Sequence, residues 1–346
     1  MKLTIPAAFF GYALFANYAL LAGDVDTPEL QGFMKGEFAS EVDDIYRANL
    51  PHRDVAVSWI GAARYALLGE GRSGVVVGRD NWLFSAEEFR VTDDFSVPMT
   101  WIAEVDAQLA AMGTELVVVP LPAKLEIDAA QFGADGPPAQ IAQTYNDFLA
   151  ALGAHGITYV DTRPALLAID QPFFATDTHW TTAGAAAVAR SVKDVIGAGD
   201  TAFDRVDDDT ERFTGDLVTF VTSDGLAPLV GLQNEEITPY TAEAVGDVSP
   251  GTLDLFGTDM PASMTLVGTS YSANPRWSFE AALKLALQQD VINYAEEGQG
   301  PVAPMHAFLE RVDPVAPPPV VIWEFPVRYL SDPDLMKVVM QESGNA

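Results

Sequence analysis

Two short segments, about ninety residues apart, carry side chains that together could perform acyl transfer. They are TDTHW at residues 176–180 and GTSYS at residues 268–272. An aspartate two residues before a histidine can orient the imidazole and balance its charge from within one loop. A serine in a tight turn between a strand and a helix would be an exposed nucleophile. The two segments therefore supply Ser270, His179 and Asp177 as a candidate Ser-His-Asp triad.

Spacing alone leaves other readings of these segments open. The chain has only four histidines, which are His52, His155, His179 and His306. Asp177 could instead cap the helix that follows, with His179 only packing beside Trp180. Ser272 is a rival nucleophile in the same turn as Ser270. The turn lacks a Gly-x-Ser-x-Gly elbow, so it is not typical of ordinary α/β-hydrolases.

Other residues are candidates for stabilising an oxyanion or binding a substrate. The Ser270 amide would begin a helix, where free N–H groups are available, and is the first expected oxyanion donor. Candidates for a second donor are Tyr271, Asn274 and Arg276. The expected substrate-binding residues are Lys124, Tyr271, Arg276, Trp82 and Arg328. The structural alternatives are a solvated loop lysine, a core tryptophan and an ion pair of Arg328 with Glu324, four residues earlier.

The hydrophobic pattern predicts the scaffold that must position these residues. Short apolar strands are expected near 115–119, 157–160, 264–267, 291–294 and 320–323, and helices near 99–112, 138–153, 182–196 and from 270 to about 287. A strand pair is expected within 71–84, around a Gly-Arg-Asp-Asn turn. Apolar strands that alternate with helices indicate an α/β fold with a parallel sheet covered on both faces.

Such a sheet would bring the candidate residues together. Ligands of open α/β sheets gather at the carboxyl ends of the strands. Ser270 directly follows the strand expected at 264–267. Asp177 and His179 lie in the loop before the helix expected at 182–196. We therefore expect the two segments to meet at one edge of the sheet.

Three segments differ from this alternating pattern. Residues 1–22 contain one charged residue, Lys2, followed by an uncharged apolar stretch about 20 residues long, which predicts an export signal or a retained membrane anchor. A cleavage site after residue 22 would place a leucine where a small residue is needed, which favours the anchor. Residues 23–70 form an amphipathic lead. The main domain is expected at 71–340, with the acidic, turn-rich residues 198–262 as an insertion or cap.

Composition excludes several classes of function. The 346 residues include 49 acidic and 19 basic side chains, so the formal net charge is −30 and the surface repels nucleic acid. It should repel other polyanions too, unless a local basic cleft overrides the field. The absence of cysteine excludes disulfides, a thiol nucleophile and thiolate metal sites. The acidic run at 207–209 lacks the ligand spacing of a calcium loop, and we expect no metal and no cofactor.

Five strings along the chain carry a resemblance to a known family. They are GRDNWLF at 78–84, VPLPAK at 119–124, DTHW at 177–180, GTSYS at 268–272 and WEFPVR at 323–328. Together they resemble the alginate O-acetyltransferase (AlgJ/AlgX-like) family, and the resemblance spans residues 30–330. Each string is modest alone, whereas five in the family's order form a specific pattern.

The resemblance implies a fold, a set of catalytic residues and a reaction. The fold is SGNH-hydrolase-like, a three-layer α/β/α arrangement in which the acid and the base precede the nucleophile. Carried over by position, Ser270 is the nucleophile, His179 the base and Asp177 its orienter. The reaction is O-acetylation of an exported polysaccharide in the periplasm, with a membrane-bound O-acyltransferase as the acetyl-donor partner. Family members with a carbohydrate-binding module carry it after the catalytic domain, and we expect none because the sequence stops at Ala346.

We therefore expect a periplasmic polysaccharide O-acetyltransferase, anchored to the inner membrane by its N-terminal segment, that forms an acetyl-Ser270 intermediate. An esterase that uses the same residues, with water as the acceptor, is the alternative. Catalytic residues do not separate the two, because the choice of acceptor depends on how the site excludes water. A polysaccharide-binding scaffold with a vestigial site is a third alternative, and the intact Asp-His-Ser set argues against it.

Overall fold

The structure is a computed structural model that describes residues 4–22, 37–133, 136–245, 263–332 and Leu335. The strands within these residues are β1 (Val75–Val77), β2 (Leu83–Ser85), β3 (Glu115–Leu121), β4 (Thr158–Tyr159), β5 (Phe203–Asp207), β6 (Glu211–Phe213), β7 (Glu235–Ile237), β8 (Tyr240–Ala244), β9 (Met264–Val267), β10 (Val291–Asn293) and β11 (Val320–Pro326).

The helices within the same ranges surround these strands. They are α1 (Thr4–Leu21), α2 (Glu37–Asn49), α3 (Arg53–Leu68), α4 (Ser96–Ala111), α5 (Lys124–Ile127), α6 (Ala129–Phe132), α7 (Ala139–Ala154), α8 (Arg163–Leu167), α9 (Thr182–Ile196), α10 (Ser270–Ala273), α11 (Phe279–Leu287) and α12 (Val302–Arg311). Short 3₁₀ segments occupy Ala86–Phe89, Asp216–Phe220, Ala227–Val230, Pro275–Trp277 and Val327–Ser331.

A five-stranded parallel sheet forms the centre of the molecule, with the strand order β10-β9-β11-β3-β4. The central strand, β11, pairs with β3 on one side and with β9 on the other. Its last six residues are buried, as are those of β3. Continuous burial of this kind is typical of a parallel strand that is covered on both faces. The sequence-based prediction of a parallel sheet is therefore confirmed.

Two layers of helices cover the sheet. Val117 and Val119 of β3 contact one hydrophobic cluster, which includes α9 and α11. Leu116 and Val118 belong to a second cluster with α4, α7 and α12. This alternation follows from the period of two in a strand, which sends successive side chains to opposite faces. The architecture is thus three layers, α/β/α, as expected.

The segment after Ser270 differs from the single helix that the sequence predicted up to about residue 287. It forms the short helix α10, a 3₁₀ turn at Pro275–Trp277 and then α11. Proline has no N–H to continue the helical bonds of α10. Ser278 then adopts a left-handed conformation, with a φ of 56°, before α11 begins. The chain therefore turns sharply beside Ser270.

The segment predicted as an insertion, 198–262, is described as far as residue 245, and 246–262 lie outside the described residues. It contains two antiparallel ribbons, β5–β8 and β6–β7, and two of the 3₁₀ segments. The apolar side chains of Leu217, Val218 and Val221 pack against the β1–β2 hairpin and α3. The segment thus lies against the hairpin that precedes the sheet.

The described N-terminal residues are helical. Helix α1 is apolar and exposes large side chains that include Phe9, Phe10, Leu14 and Tyr18. Among the described helices, none has the combination of length and apolar character that crossing a membrane requires. Part of the amphipathic lead, residues 23–36, lies outside the described residues.

Candidate active site

Ser270 lies directly after β9, at the first residue of α10. Thr269, just before it, donates from its N–H and its hydroxyl to the Glu324 carboxylate, each over 3.1 Å. The Ser272 hydroxyl donates to the same carboxylate over 2.7 Å. Glu324 is fully buried in the central strand β11. The turn is thus tied to the middle of the sheet, while the Ser270 side chain remains partly accessible.

A continuous chain of hydrogen bonds joins Ser270 to Asp177. Ser270 Oγ lies 2.8 Å from His179 Nε2, and His179 Nδ1 lies 2.7 Å from Asp177 Oδ1. The same Asp177 oxygen accepts the His179 backbone N–H over 2.8 Å. The alternative, in which Asp177 caps the next helix, is not formed. The cap of α9 is Thr181, whose hydroxyl accepts the Gly184 N–H over 3.2 Å.

The charge on Asp177 follows from its surroundings. Burial would raise the pKa of this carboxyl, but hydrogen bonds from His179 and Asp216 and the charge of the imidazole lower it below its usual range. The carboxylate therefore stays ionised and accepts a hydrogen bond from a protonated Nδ1 of the imidazole. Nε2 of His179 then presents a lone pair to the Ser270 hydroxyl.

Aromatic side chains hold the imidazole in this position. The Trp277 ring stacks on it, with centroids 4.8 Å apart and an interplanar angle of 18°. The Tyr271 ring lies 4.7 Å away and is tilted by 50°. The Tyr271 hydroxyl donates to the backbone carbonyl of Thr178 over 2.5 Å. Tyr271, expected as a substrate-binding residue, is almost fully buried and supports the loop that carries His179.

Ser270 and His179 face a cavity of about 600 Å³, a volume typical of small-molecule sites. Its lining includes Ser270 and His179, parts of the β1–β2 hairpin and of the following 3₁₀ segment, and residues of the segments Asp216–Phe220 and Val327–Ser331. Two cations, Arg90 and Arg328, and two acids, Glu87 and Asp216, lie in the walls. The cavity can therefore hold polar ligands next to Ser270.

Arg328, expected as a substrate-binding residue, lies in the wall of this cavity. Its side chain is 9% exposed, and one terminal nitrogen donates to the Tyr271 hydroxyl over 3.3 Å. Its Nε lies 3.8 Å from a carboxylate oxygen of Glu87 and has no hydrogen-bond partner within the described part of the chain. The alternative pairing with Glu324 is not formed, because that carboxylate faces the Ser270 turn.

Lys124 and Trp82 were expected to bind substrate, and the structure places both in the interior. The Lys124 ammonium donates to the backbone carbonyls of Leu83, Ala175 and Asp177, over 2.7, 3.1 and 2.9 Å. The Trp82 ring, 5.1 Å from that ammonium, packs within an apolar cluster. Lys124 is only 1% exposed, so it cannot meet a sugar. Its ammonium instead holds the backbone carbonyl of Asp177 in place.

Arg276 and Ser272 also have structural partners. The Arg276 guanidinium donates to Glu211 over 2.8 Å and lies 4.8 Å from the Phe213 ring. It is not among the residues that line the cavity at Ser270. The Ser272 hydroxyl donates to Glu324 and is 2% exposed, whereas the Ser270 hydroxyl meets the imidazole. Geometry therefore favours Ser270 over its rival.

The candidate oxyanion donors differ in their availability. The Ser270 N–H stands at the start of α10 and has no hydrogen-bond partner within the ranges that the structure describes. The Asn274 side-chain oxygen accepts the Arg276 N–H over 3.0 Å and so caps the following turn. The Ser270 amide is therefore the donor that the local backbone leaves free.

Two acidic residues at the site, Glu324 and Asp216, were not among the residues that the sequence predicted there. Glu324 lies in the WEFPVR string, at the carboxyl end of an expected strand, and that position could have indicated a role. Asp216 donates its N–H to Asp177 Oδ2 over 2.9 Å, from the segment predicted as an insertion. No local pattern distinguishes it from the many other acids of that segment.

A metal-like grouping exists at the same place. Asp177, His179 and Asp216 bring potential ligand atoms within 4.8 Å of one another, the only such group among the residues described. The imidazole Nδ1 and the facing Asp177 oxygen already bond to each other over 2.7 Å. The contacts fit an acid–base pair better than a cation site.

Comparison with known proteins identifies the family. The family described as "SGNH hydrolase-like domain, acetyltransferase AlgX" matches residues 75–327. The chain belongs to this family. A probable alginate O-acetylase AlgJ of Pseudomonas aeruginosa is 36% identical over 94% of this chain and 88% of its own. Its counterpart in Pseudomonas fluorescens is 35% identical over 93% of this chain and 82% of its own.

Solved structures agree with this assignment. The O-acetyltransferase domain of Pseudomonas putida AlgJ has a TM-score of 0.65 and 34% identity, and covers 78% of this chain and 100% of its own. Pseudomonas aeruginosa AlgX, at 23% identity, supports the fold, with a TM-score of 0.60 over 77% of this chain and 67% of its own. The predicted family, the SGNH-hydrolase-like fold and the acetyltransferase activity are thereby confirmed.

The buried Glu324 makes a pH-dependent contribution to stability. Burial raises its pKa to about 7, although hydrogen bonds from Ser272 and Thr269 act in the opposite direction. A carboxyl that holds its proton more tightly in the folded state stabilises that state most at low pH. This contribution is complete below the unfolded value, near 4.5, and is lost as the pH rises to about 7.

We predict that Glu324→Gln, which cannot ionise, gains stability relative to the wild type as the pH rises from about 4.5 to 7. The change should reach about 3 kcal/mol, from about 1.4 kcal/mol per unit of pKa shift. Chemical denaturation at several pH values measures it. Glu243→Gln, at an exposed position of β8, is the matched control. A difference between Glu324→Gln and the wild type that stays constant across this range would contradict the prediction.

Proposed function

We propose that Ser270, His179 and Asp177 are the catalytic triad of this acetyltransferase. The observation that supports it is the unbroken chain from the Ser270 hydroxyl through the imidazole to the Asp177 carboxylate, with links of 2.8 and 2.7 Å. The chain ends in a cavity large enough for an acyl group and part of a sugar. Each member then takes the role that its contacts allow.

In the first half-reaction, Ser270 Oγ attacks the carbonyl carbon of an acetyl donor while His179 Nε2 accepts the hydroxyl proton. The Asp177 carboxylate stabilises the imidazolium that forms. The bond between the carbonyl carbon and the donor's leaving group then breaks, and the imidazolium returns its proton to that group. The products are acetyl-Ser270 and the deacetylated donor.

The tetrahedral intermediate of this step carries a negative oxygen that needs hydrogen-bond donors. The free Ser270 N–H at the start of α10 belongs to the same residue as the attacking Oγ, so it would lie near the reacting carbon, and we assign it this role. Donors fixed in advance stabilise the developing charge without reorganising. The ties from Thr269 and Ser272 to Glu324 keep this amide in place.

In the second half-reaction, a sugar hydroxyl replaces the leaving group. His179 Nε2 accepts its proton, the sugar oxygen attacks the acetyl carbon, and Ser270 Oγ leaves and recovers a proton from the imidazolium. The relatives are named as probable alginate O-acetylases. We propose that the acceptor of this chain is likewise an exported polysaccharide, and that Arg328 contacts it from the cavity wall.

The acetyl group must reach the site from a donor outside this chain. We propose a membrane-bound O-acyltransferase as the partner that delivers it, as the family resemblance implies. Because the acceptor is exported, we place the reaction in the periplasm. The domain at 71–340 would carry the reaction, residues 1–22 would direct export and remain as an inner-membrane anchor, and 23–70 would connect the two.

We predict that Ser270→Ala abolishes the mass increase of one acetyl group that an activated aryl acetate produces in the intact wild-type protein. Ser272→Ala should keep the label, because its hydroxyl bonds to Glu324 and does not reach the imidazole. Intact-mass spectrometry after brief incubation is the measurement. Labelling that persists in Ser270→Ala would remove the assignment of the nucleophile.

The same labelled protein tests the acceptor. Addition of alginate oligosaccharides should transfer the label and yield acetylated sugar, detected by mass spectrometry. Release of free acetate alone, at a rate that the sugar does not change, would indicate an esterase. A matched series of neutral oligosaccharides shows whether the acceptor must be anionic.

We predict that residues 1–30, fused to a reporter that is active only outside the cytoplasm, give an active and membrane-associated reporter. Export follows from the apolar stretch with its single preceding charge. A reporter found only in the soluble periplasmic fraction would contradict the prediction of an anchor but support the prediction of export. An inactive reporter would contradict both.

A further inference from the structure

The loop that carries Asp177 and His179 is held by residues of the described part of 198–262. Glu235 in β7 accepts the N–H and the hydroxyl of Thr176, over 2.6 and 2.7 Å. The Thr176 carbonyl accepts the Leu217 N–H over 3.2 Å. The segment therefore binds the loop at Thr176, just before its two proposed catalytic residues.

Among the residues of this segment that bind the loop, Asp216 lies nearest to the proposed triad. Its N–H donates to Asp177 Oδ2 over 2.9 Å. Its carboxylate accepts the N–H and the hydroxyl of Thr178, over 2.8 and 2.5 Å. One residue thus binds the Asp177 side chain with its backbone and the next residue of the loop with its own side chain.

The approach of these two chain segments depends on glycine at position 215. A Cβ built there would lie 2.2 Å from the carbonyl oxygen of Thr176, which is far too close for any side chain. Gly215 therefore lets Asp216 come near enough to reach both Asp177 and Thr178. The close packing is a specific feature of this turn.

The Asp216 carboxylate also brings a second negative charge to the imidazole. One of its oxygens lies 4.0 Å from His179 Nδ1, too far for a hydrogen bond but close enough for electrostatic attraction. The side chain is 45% exposed and lines the same cavity as Ser270. Its charge therefore acts on the side of the imidazole that faces Asp177.

We propose that Asp216 is a positioning residue for acetyl transfer, which fixes Asp177 through its N–H and stabilises the His179 imidazolium through its carboxylate. The inference rests on the triad proposed above and adds a fourth residue from outside the two catalytic segments. The segment that packs against the hairpin thus also supplies a negative charge near the imidazole of the site.

Other charged or titratable groups around the imidazole are few and have fixed partners. Asp177 bonds to the ring itself, and Glu324 lies beneath the Ser270 turn. Tyr271 packs against the imidazole ring, and its hydroxyl accepts a hydrogen bond from Arg328. Partial burial and the neighbouring Asp177 carboxylate raise the pKa of Asp216.

The test compares Asp216→Asn with Asp216→Glu, using acetylation by an aryl acetate. Asparagine keeps the backbone N–H that bonds to Asp177 but removes the negative charge. Glutamate keeps the N–H and the negative charge. We expect Asp216→Asn to lower kcat about tenfold with little change in KM, because the lost charge acts on the transition state. We also expect the acid limb of its pH–rate profile to move to lower pH, since the imidazolium has lost a negative neighbour.

Asp216→Glu should lie between Asp216→Asn and the wild type in kcat. Asp224→Asn, an exposed acid of the same segment, is the matched control and should behave like the wild type. Equal kcat in Asp216→Asn and the wild type would overturn the inference. So would a lowered thermal midpoint with an unmoved acid limb in both Asp216 variants, since that pattern indicates a purely structural role.

The proposed function has a separate readout. If the wild type is acetylated and Ser270→Ala is not, the assignment of Ser270 as the nucleophile holds whatever the Asp216 variants do. If Ser270→Ala is still acetylated, the function proposed for Ser270 fails, independently of Asp216. The two ideas can therefore fail separately.

Discussion

The site depends on the buried carboxylate of Asp177 keeping its charge. An ionised carboxylate with 5% of its side chain exposed is costly unless donors surround it. Three N–H groups do so here, two from His179 and one from Asp216. The Lys124 ammonium holds the Asp177 carbonyl from below. Satisfying this one group also orients the imidazole, because the His179 backbone N–H and Nδ1 both bond to the same carboxylate oxygen.

The position of Ser270, the proposed nucleophile, depends on a second buried acid. Glu324 lies in the central strand and gathers donors from Thr269 and Ser272, on either side of Ser270. The α/β/α architecture makes this possible, because parallel strands end at the same edge and their following loops meet there. Asp177, in a loop, therefore fixes His179, and Glu324, in the central strand, fixes the turn that carries Ser270.

The sequence could predict the sheet, its covering helices and the meeting of Asp177, His179 and Ser270, because these depend on local patterns: apolar strands, an Asp two residues before a His and a Ser after a strand. It could not predict the direction of Lys124, which follows a Pro-rich strand end like a loop residue but turns inward to three carbonyls. Nor could it find Asp216, whose importance comes from a contact across the fold. Long-range contacts between loops have no signature in spacing.

The central claim is that Asp177, His179 and Ser270 act as one unit, and a double-variant comparison tests it most directly. Aryl-acetate turnover and thermal midpoint would be measured for Asp177→Asn, His179→Ala and the two combined. We predict an intact fold and a loss in Asp177→Asn of up to about 10⁴-fold, the size of the corresponding loss in a serine protease. The combined variant should be scarcely worse than His179→Ala alone. Near-normal turnover in Asp177→Asn, or losses that multiply in the combined variant, would contradict a working triad.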